Sequence, residues 1–305
     1  MKDESVDTAF AAHERELWGL AYRMTASAAD ADEIVQDTFV RALERPVDRS
    51  RPLRPWLRKV ALNLARDRLR RRKNAPYVGE WLPEPVLSDE LLTEGQRSPE
   101  ARYELRESLT YAFLRAMEAL TADQRAVLLL RDVYELSVRE AADALELSES
   151  NVKVLAHRAR HALRDYDESP CRPDADRVRR TQLAMATLLG CLGRGDVDGA
   201  RAAMAEDVQV VSDAAGEFTA NRKTVHGAAK AATFLLRIRD PDVPVASRVV
   251  LINGLPALWM DWQGKRTKNH AQQALVRVEV DEKGSITRVE SILATAKLSR
   301  LGAAL

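Results

Sequence analysis

Inward-facing side chains recur at three- and four-residue intervals through 30–43, at Ile34, Val35, Thr38, Phe39, Ala42 and Leu43, and predict a helix with one buried face. Asp30, Glu33 and Asp37 fall on the opposite face as an acidic stripe. A Pro- and Arg-rich break over 46–52 follows. Leu57, Val60, Ala61 and Leu64 then set the inward face of a second helix over 56–73. Lys59, Asn63, Arg66 and Arg70 step along its outward side at helical spacing, so they can reach one groove or strand together. Upstream, Leu17, Leu20, Ala21 and Met24 predict an amphipathic helix over 10–25 that packs on the acidic one, completing a helical domain over 1–75.

Helical periodicity stops over 76–100, where Pro76, Gly79, Pro83, Pro85, Gly95 and Pro99 predict a linker. Its apolar stretch Trp81-Leu82-Pro83-Glu84-Pro85 either packs on its own domain or docks on another. A second helical domain is expected over 101–168, beginning with a helical stretch over 100–119. Thr121-Ala122-Asp123-Gln124 and Ser137-Val138-Arg139-Glu140 are capping boxes, and Ser148 can cap a further helix over 151–164. Short helix, tight turn and basic third helix predict a helix-turn-helix. Val152, Leu155, Ala156, Ala159 and Leu163 face inward, which leaves Ser150, Asn151, Lys153, His157, Arg158 and Arg160 for DNA.

A second linker spans 169–177, with Pro170 and Pro173. Beyond it, over 178–305, the pattern changes to helices at 178–192, 197–204 and 226–238 with strands at 208–211, 246–252, 257–262, 272–280 and 286–293. Asn253-Gly254 and Lys283-Gly284 mark hairpin turns. Helices followed by a meander predict an α+β domain.

Composition alters this picture at a few points. With 305 residues the chain has room for two or three domains, and its 46% apolar content is that of a folded protein. A net charge of only +1 hides local segregation: Lys and Arg crowd 51–73 against the single acid Asp67. That density suits a phosphate backbone; Asn63 can read a base edge, and Trp56 can stack or anchor. Cys171 and Cys191 form no CxxC pair, so neither structural zinc nor a disulfide framework is expected. No cofactor or metal site is expected either. Lys2, Asp3, Glu4 and Asp7 precede no apolar run and no stretch is long and apolar enough for a membrane span, so the expectation is a soluble, cytoplasmic protein without signal peptide or membrane partner.

The run Ala29-Asp30-Ala31-Asp32-Glu33-Ile34-Val35-Gln36-Asp37-Thr38-Phe39, followed by Pro55-Trp56-Leu57-Arg58-Lys59-Val60-Ala61-Leu62-Asn63-Leu64-Ala65-Arg66-Asp67, resembles region 2 of the extracytoplasmic-function (ECF) sigma factors. The resemblance implies that Asp32, Glu33, Gln36 and Asp37 bind the clamp of core RNA polymerase. It also implies that Lys59, Asn63, Arg66 and Arg70 hold the promoter −10 element. Leu145-Glu146-Leu147-Ser148-Glu149-Ser150-Asn151-Val152-Lys153 and His157-Arg158-Ala159-Arg160 resemble region 4, which implies recognition of the −35 element and contact with the polymerase flap. The last domain is similar in element order to the SnoaL-like, NTF2-type cone. With Trp81-Leu82-Pro83-Glu84-Pro85 this points to the sigma-J-like group, whose fused C-terminal domain regulates the sigma domains in place of a separate anti-sigma protein, through intramolecular contact. The implied regulatory contacts are Trp81, Leu82, Pro83, Asp213, Gly216 and Lys297. Of that group's Asp-Gly-Gly-Gly-Lys and Asn-Pro-Asp-Lys motifs, only Asp213, Gly216 and Lys297 survive here.

Cones of this type also host isomerases and cyclases, which use a carboxylate base and a hydrogen-bond donor. The candidate acids are Asp213, Glu217 and Asp261, and the candidate donors His226, Trp259 and His270. All tyrosines precede residue 167, so a phenol donor is missing from this domain, and no catalytic residue is expected. The reading is therefore a non-enzymatic sigma factor with a fused regulator. The rival is a helix-turn-helix regulator whose SnoaL-like domain senses a ligand or acts as an enzyme.

Overall fold

The protein is described from a computed structural model covering residues 6–44, 52–91, 105–239, 243–264, 267 and 269–305. Its chain divides into two compact units: Met1–Pro76 with Asp89–Arg172, and Tyr77–Ser88 with Pro173–Leu305.

The first unit is helical. Helices α1 (Val6–Thr25), α2 (Ala28–Glu44) and α3 (Arg54–Lys73) pack mutually, and their cores follow the predicted faces. Leu17, Leu20, Ala21 and Met24 of α1 are buried against Ile34, Val35, Phe39 and Ala42 of α2 and Leu57, Ala61 and Leu64 of α3. Two assignments need correction. Leu43 is 63% exposed because it lies in the last turn of α2, and Val60 is only half-buried. A proline in the first turn of α3 presets the backbone angle where no intrahelical donor is needed.

The helical stretch expected over 100–119 is built, in its described part, from short pieces. A 3-10 turn at Glu107–Leu109 precedes α4 (Tyr111–Ala116), and a second 3-10 turn covers Met117–Ala119; positions 100–104 lie outside the described residues. Thr110 causes the break: its backbone is extended, and its hydroxyl accepts from Phe113 N at 3.3 Å, restarting the helix as an N-cap. Both predicted capping boxes form, at the starts of α5 (Ala122–Leu128) and α6 (Val138–Leu145). Ser148 caps α7 (Glu149–Ala162), whose Val152, Ala156 and Ala159 are buried. A short α8 (Arg164–Glu168) follows directly.

The second unit is α+β. Its six-stranded sheet has the order β2-β1-β6-β5-β4-β3, from β1 (Met204–Asp213), β2 (Val225–His226), β3 (Val245–Ile252), β4 (Leu255–Trp262), β5 (Gln273–Val280) and β6 (Ile286–Ile292). Strands β3 to β6 form the expected meander, while β1 joins it parallel to β6. Helices α9 (Ala175–Arg194), α10 (Val197–Ala202) and α11 (Ala228–Arg237) bury Met185, Leu188, Cys191, Ala200, Ala232 and Leu235 against Val208, Val210, Leu258, Val278 and Val289 of the sheet. Met204 opens β1 rather than closing α10. Strand β2 and the terminal helix α12 (Thr295–Ala304) were not anticipated. No helix among the described residues is long and apolar enough to cross a membrane.

Asn253 and Gly254 both have positive φ, 50° and 85°, which gives the primed turn whose twist suits a two-residue hairpin. A Cβ on Gly254 would lie 2.9 Å from Cβ of Pro173. Gly254→Ala is expected to lower stability by about 1–2 kcal/mol through backbone strain alone. Urea unfolding of the full chain checks it; an unchanged midpoint would contradict the turn assignment.

Candidate nucleic-acid and polymerase interfaces

Helix α2 divides its predicted contact residues between solvent and structure. Glu33, Gln36 and Asp37 are exposed, whereas Asp32 is half-buried and accepts from Trp18 Nε1 at 2.6 Å. Arg68 of α3 ties the stripe down, 2.5 Å from Glu33 and 3.3 Å from Asp30. Burial raises the Asp30 carboxyl above its ordinary range despite that cation.

The outward face of α3 carries the predicted DNA contacts, and each of them is engaged within the first unit. Arg66 donates from Nε to Asp123 at 2.7 Å, and from Nη1 to Asn63 Oδ1 at 3.1 Å and to the Leu145 carbonyl at 3.3 Å. Arg70 reaches the same Asp123 carboxylate at 3.0 Å. Lys59 lies 2.8 Å from Glu146, and this hydrogen-bonded cation holds the Glu146 carboxyl below its usual range. Asp123 sits in the first turn of α5, and Glu146 is the left-handed residue that ends α6. Both acids were passed over in the sequence because their partners are far away along the chain.

Two buried arginines complete this seam. Arg125 donates to the Met24 carbonyl at 2.7 Å and pairs with Glu118, which also accepts from Arg72 at 3.0 Å. Arg23 donates to Ser108 Oγ at 2.7 Å and to the Leu105 carbonyl at 2.9 Å. Burial shifts Arg125 down and the Tyr134 phenol up.

Helix α7 presents Ser150, Asn151, Lys153, His157 and Arg158 to solvent, in line with the helix-turn-helix prediction. Arg160 departs from it: its guanidinium is held by the buried Asp132, with Nε at 2.8 Å, so it fixes α7 in place. A groove of about 510 Å³ runs beside the helix, lined by Arg131, Lys153, His157, Arg160, His161 and Arg164 among others.

In the second unit the residues singled out in the linker and the C-terminal domain come together. Asp213, fully buried at the end of β1, accepts from Tyr77 Oη at 2.5 Å, Leu82 N at 2.8 Å, Ala215 N at 3.2 Å and Lys297 Nζ at 2.6 Å. Lys297 of α12 also donates to the Leu82 carbonyl and lies 4.2 Å from the Trp81 ring centroid and 5.2 Å from that of Tyr77. Gly216, at φ 80°, faces Val78. Pro83 is buried in the same segment. The linker continues onto the β3–β4 turn: Val86 N donates to Asn253 Oδ1 at 3.1 Å and Gly254 N to Ser88 Oγ at 2.8 Å. Tyr77 and Asn253 are the contacts that sequence reasoning missed, although the Asn-Gly pair had already marked the turn.

The candidate carboxylates and donors of the cone have the following surroundings. Asp213 is surrounded by donors, Glu217 accepts from Thr295 N at 3.2 Å, and the exposed His270 lies 2.5 Å from Thr267 Oγ1. Trp259 packs near Gly302 of α12, Asp261 is half-buried and His226 is exposed. Among the described residues no group of His, Cys, Asp and Glu is placed to hold a metal.

Residues 9–75 match the Sigma-70 region 2 family model and residues 110–163 the Sigma-70, region 4 model. The ECF RNA polymerase sigma factor SigJ of Mycobacterium tuberculosis is 30% identical over 250 residues, covering 80% of this chain and 78% of that protein. SigG of the same organism is 36% identical over 176 residues, covering 50% of this chain and 47% of its own. The crystal structure of M. tuberculosis SigJ superposes with a TM-score of 0.71 at 24% identity, over 96% of this chain and 98% of that one.

Removing one partner of a buried, hydrogen-bonded ion pair strands the other charge, so Lys297→Met is expected to destabilise the second unit by about 3–5 kcal/mol. Hydrogen exchange should show lost protection at the Leu82 and Val86 amides. Retained protection would mean that the linker is held without Lys297.

Proposed function

The chain belongs to the ECF RNA polymerase sigma factors, and on that premise we propose which of its surfaces perform which part of the family's work. As a sigma factor it associates with core RNA polymerase and directs it to promoters. Our assignment gives the polymerase contact to the exposed acids and amide of α2 (Glu33, Gln36 and Asp37), with Asp32 positioning α1 against α2 through Trp18. The −10 element goes to Lys59, Asn63, Arg66 and Arg70, with Asn63 as the base reader. The −35 element goes to Ser150, Asn151, Lys153, His157 and Arg158. Arg160 serves the fold of region 4.

One observation supports this division above the others. The exposed faces of α7 and α2 differ in chemistry: Ser150, Asn151, Lys153, His157 and Arg158 on one, Glu33, Gln36 and Asp37 on the other. Cations and amides suit phosphates and base edges, whereas carboxylates facing solvent suit a basic protein surface.

We assign the second unit to regulation, without covalent chemistry. Its most buried carboxylate, Asp213, is engaged by four donors and holds the segment that joins region 2 to region 4. Control over that connection is control over how far apart two DNA-binding regions can sit.

Run-off transcription with purified core polymerase tests the whole assignment. Full-length protein should give promoter-specific transcripts, and a version ending at Asp176 should give a different yield. Gln36→Lys with Asp37→Lys should abolish polymerase binding while DNA binding persists. DNA binding without any specific transcript would favour the rival, a helix-turn-helix regulator that works without polymerase. Equal yield and equal polymerase affinity for the two lengths would remove the regulatory role from the second unit.

A further inference from the structure

Helix α7 carries one exposed side chain to which no role has yet been given. Val154 is 47% exposed, and among the described residues of α4 to α8 it is the one large apolar side chain that stands exposed. At about 100° of rotation per residue it lies almost diametrically opposite the buried Val152, Ala156 and Ala159, so it takes no part in the core of region 4. Ser150 and Asn151 stand one turn before it and His157 and Arg158 one turn after, all exposed, so four of the side chains assigned to the −35 element surround it.

Local stability does not call for valine there. It is β-branched and a poorer helix former than the alanine or lysine that an exposed helix position favours. What it supplies is shape. In a helix a valine side chain keeps essentially one rotamer, so its two methyl groups point in a fixed direction. That direction is held from the rest of the helix: Arg160 is tied to the buried Asp132 at 2.8 Å, and Ser148 Oγ caps the first turn by accepting from Asn151 N at 3.2 Å. Valine has no donor or acceptor for a phosphate or a polar base edge. The apolar group that a base pair shows in the major groove is the C5 methyl of thymine. Building on the assignment of α7 to the −35 element, we propose that Val154 is a specificity residue of that contact, packing on a thymine methyl. It reads one A·T pair by a methyl group, where Asn151 and Lys153 read hydrogen-bonding edges and phosphates.

The test uses core polymerase carrying the full chain, which selects promoter duplexes from a pool randomised across the −35 window. The selected window should hold thymine at a fixed position, and selection with Val154→Ser should lose that preference. Replacing this thymine with deoxyuridine removes only the methyl group. It should weaken binding about three- to fivefold for the natural chain, the worth of one buried methyl, and leave the Val154→Ser chain unaffected. Serine has nearly the helix propensity of valine, so the variant should melt with its parent. A selected window in which Val154→Ser relaxes no thymine, or an equal deoxyuridine penalty for both chains, would overturn the proposal. Lys153→Ala separates that failure from failure of the −35 assignment: loss of a phosphate contact should weaken binding to all sequences alike and flatten its salt dependence. If it does so while the methyl makes no difference, Val154 alone is misassigned. If Lys153→Ala is silent as well, α7 does not meet the −35 element.

Discussion

A carboxylate removed from water requires hydrogen-bond donors, and at Asp213 those donors come from three separate stretches of chain. Tyr77 and Leu82 arrive from the segment between α3 and α4, Ala215 from the turn after β1, and Lys297 from the last helix. The end of β1, the linker and α12 are therefore fixed by one charge. The extended conformation of 77–88 follows: its prolines prevent a helix, and its backbone groups find partners in Asp213, Asn253 and the Leu251 carbonyl. A segment that belongs by sequence to the helical half thus folds with the sheet.

The first unit is organised by an excess of cations instead. Helix α3 has more guanidinium groups than its own helix can pair, and the structure distributes them over α2 through Arg68, over α5 through Arg66 and Arg70, and over Glu118 through Arg72. The same side chains that make α3 suited to phosphate make it adhere to any carboxylate within reach. A fold with such a helix must decide which anions it meets first, and here these are acids at the start of α5 and the end of α6.

Much of this architecture was legible in the sequence. Helical periodicity gave α1 to α3, the two capping boxes gave the starts of α5 and α6, and Asn253-Gly254 gave the β3–β4 hairpin. Local chemistry decides those elements, and local chemistry is visible in a string of letters. The misses have the opposite character. Thr110 divides the helical stretch over 100–119 because a cap competes with continuation, and periodicity does not register caps inside a run. Strand β2 has two residues, too few for a pattern. The pairing of Arg160 with Asp132 was not visible because the two lie 28 positions apart. Asp123 and Glu146 were invisible as partners of α3 for the same reason. Asp213, Gly216 and Lys297 were found through family resemblance alone, since no spacing rule connects residues 84 positions apart.

Fusing the linker-holding domain to the same polypeptide has a kinetic consequence. A separate regulator finds its target at a rate set by its own concentration and can be titrated away or degraded. A tethered one is present at an effective concentration on the order of millimolar, whatever the abundance of the protein. The grip of Asp213 and Lys297 on residues 77–88 is thus insensitive to expression level. Making more of this chain does not dilute that contact, because each molecule carries both of its halves.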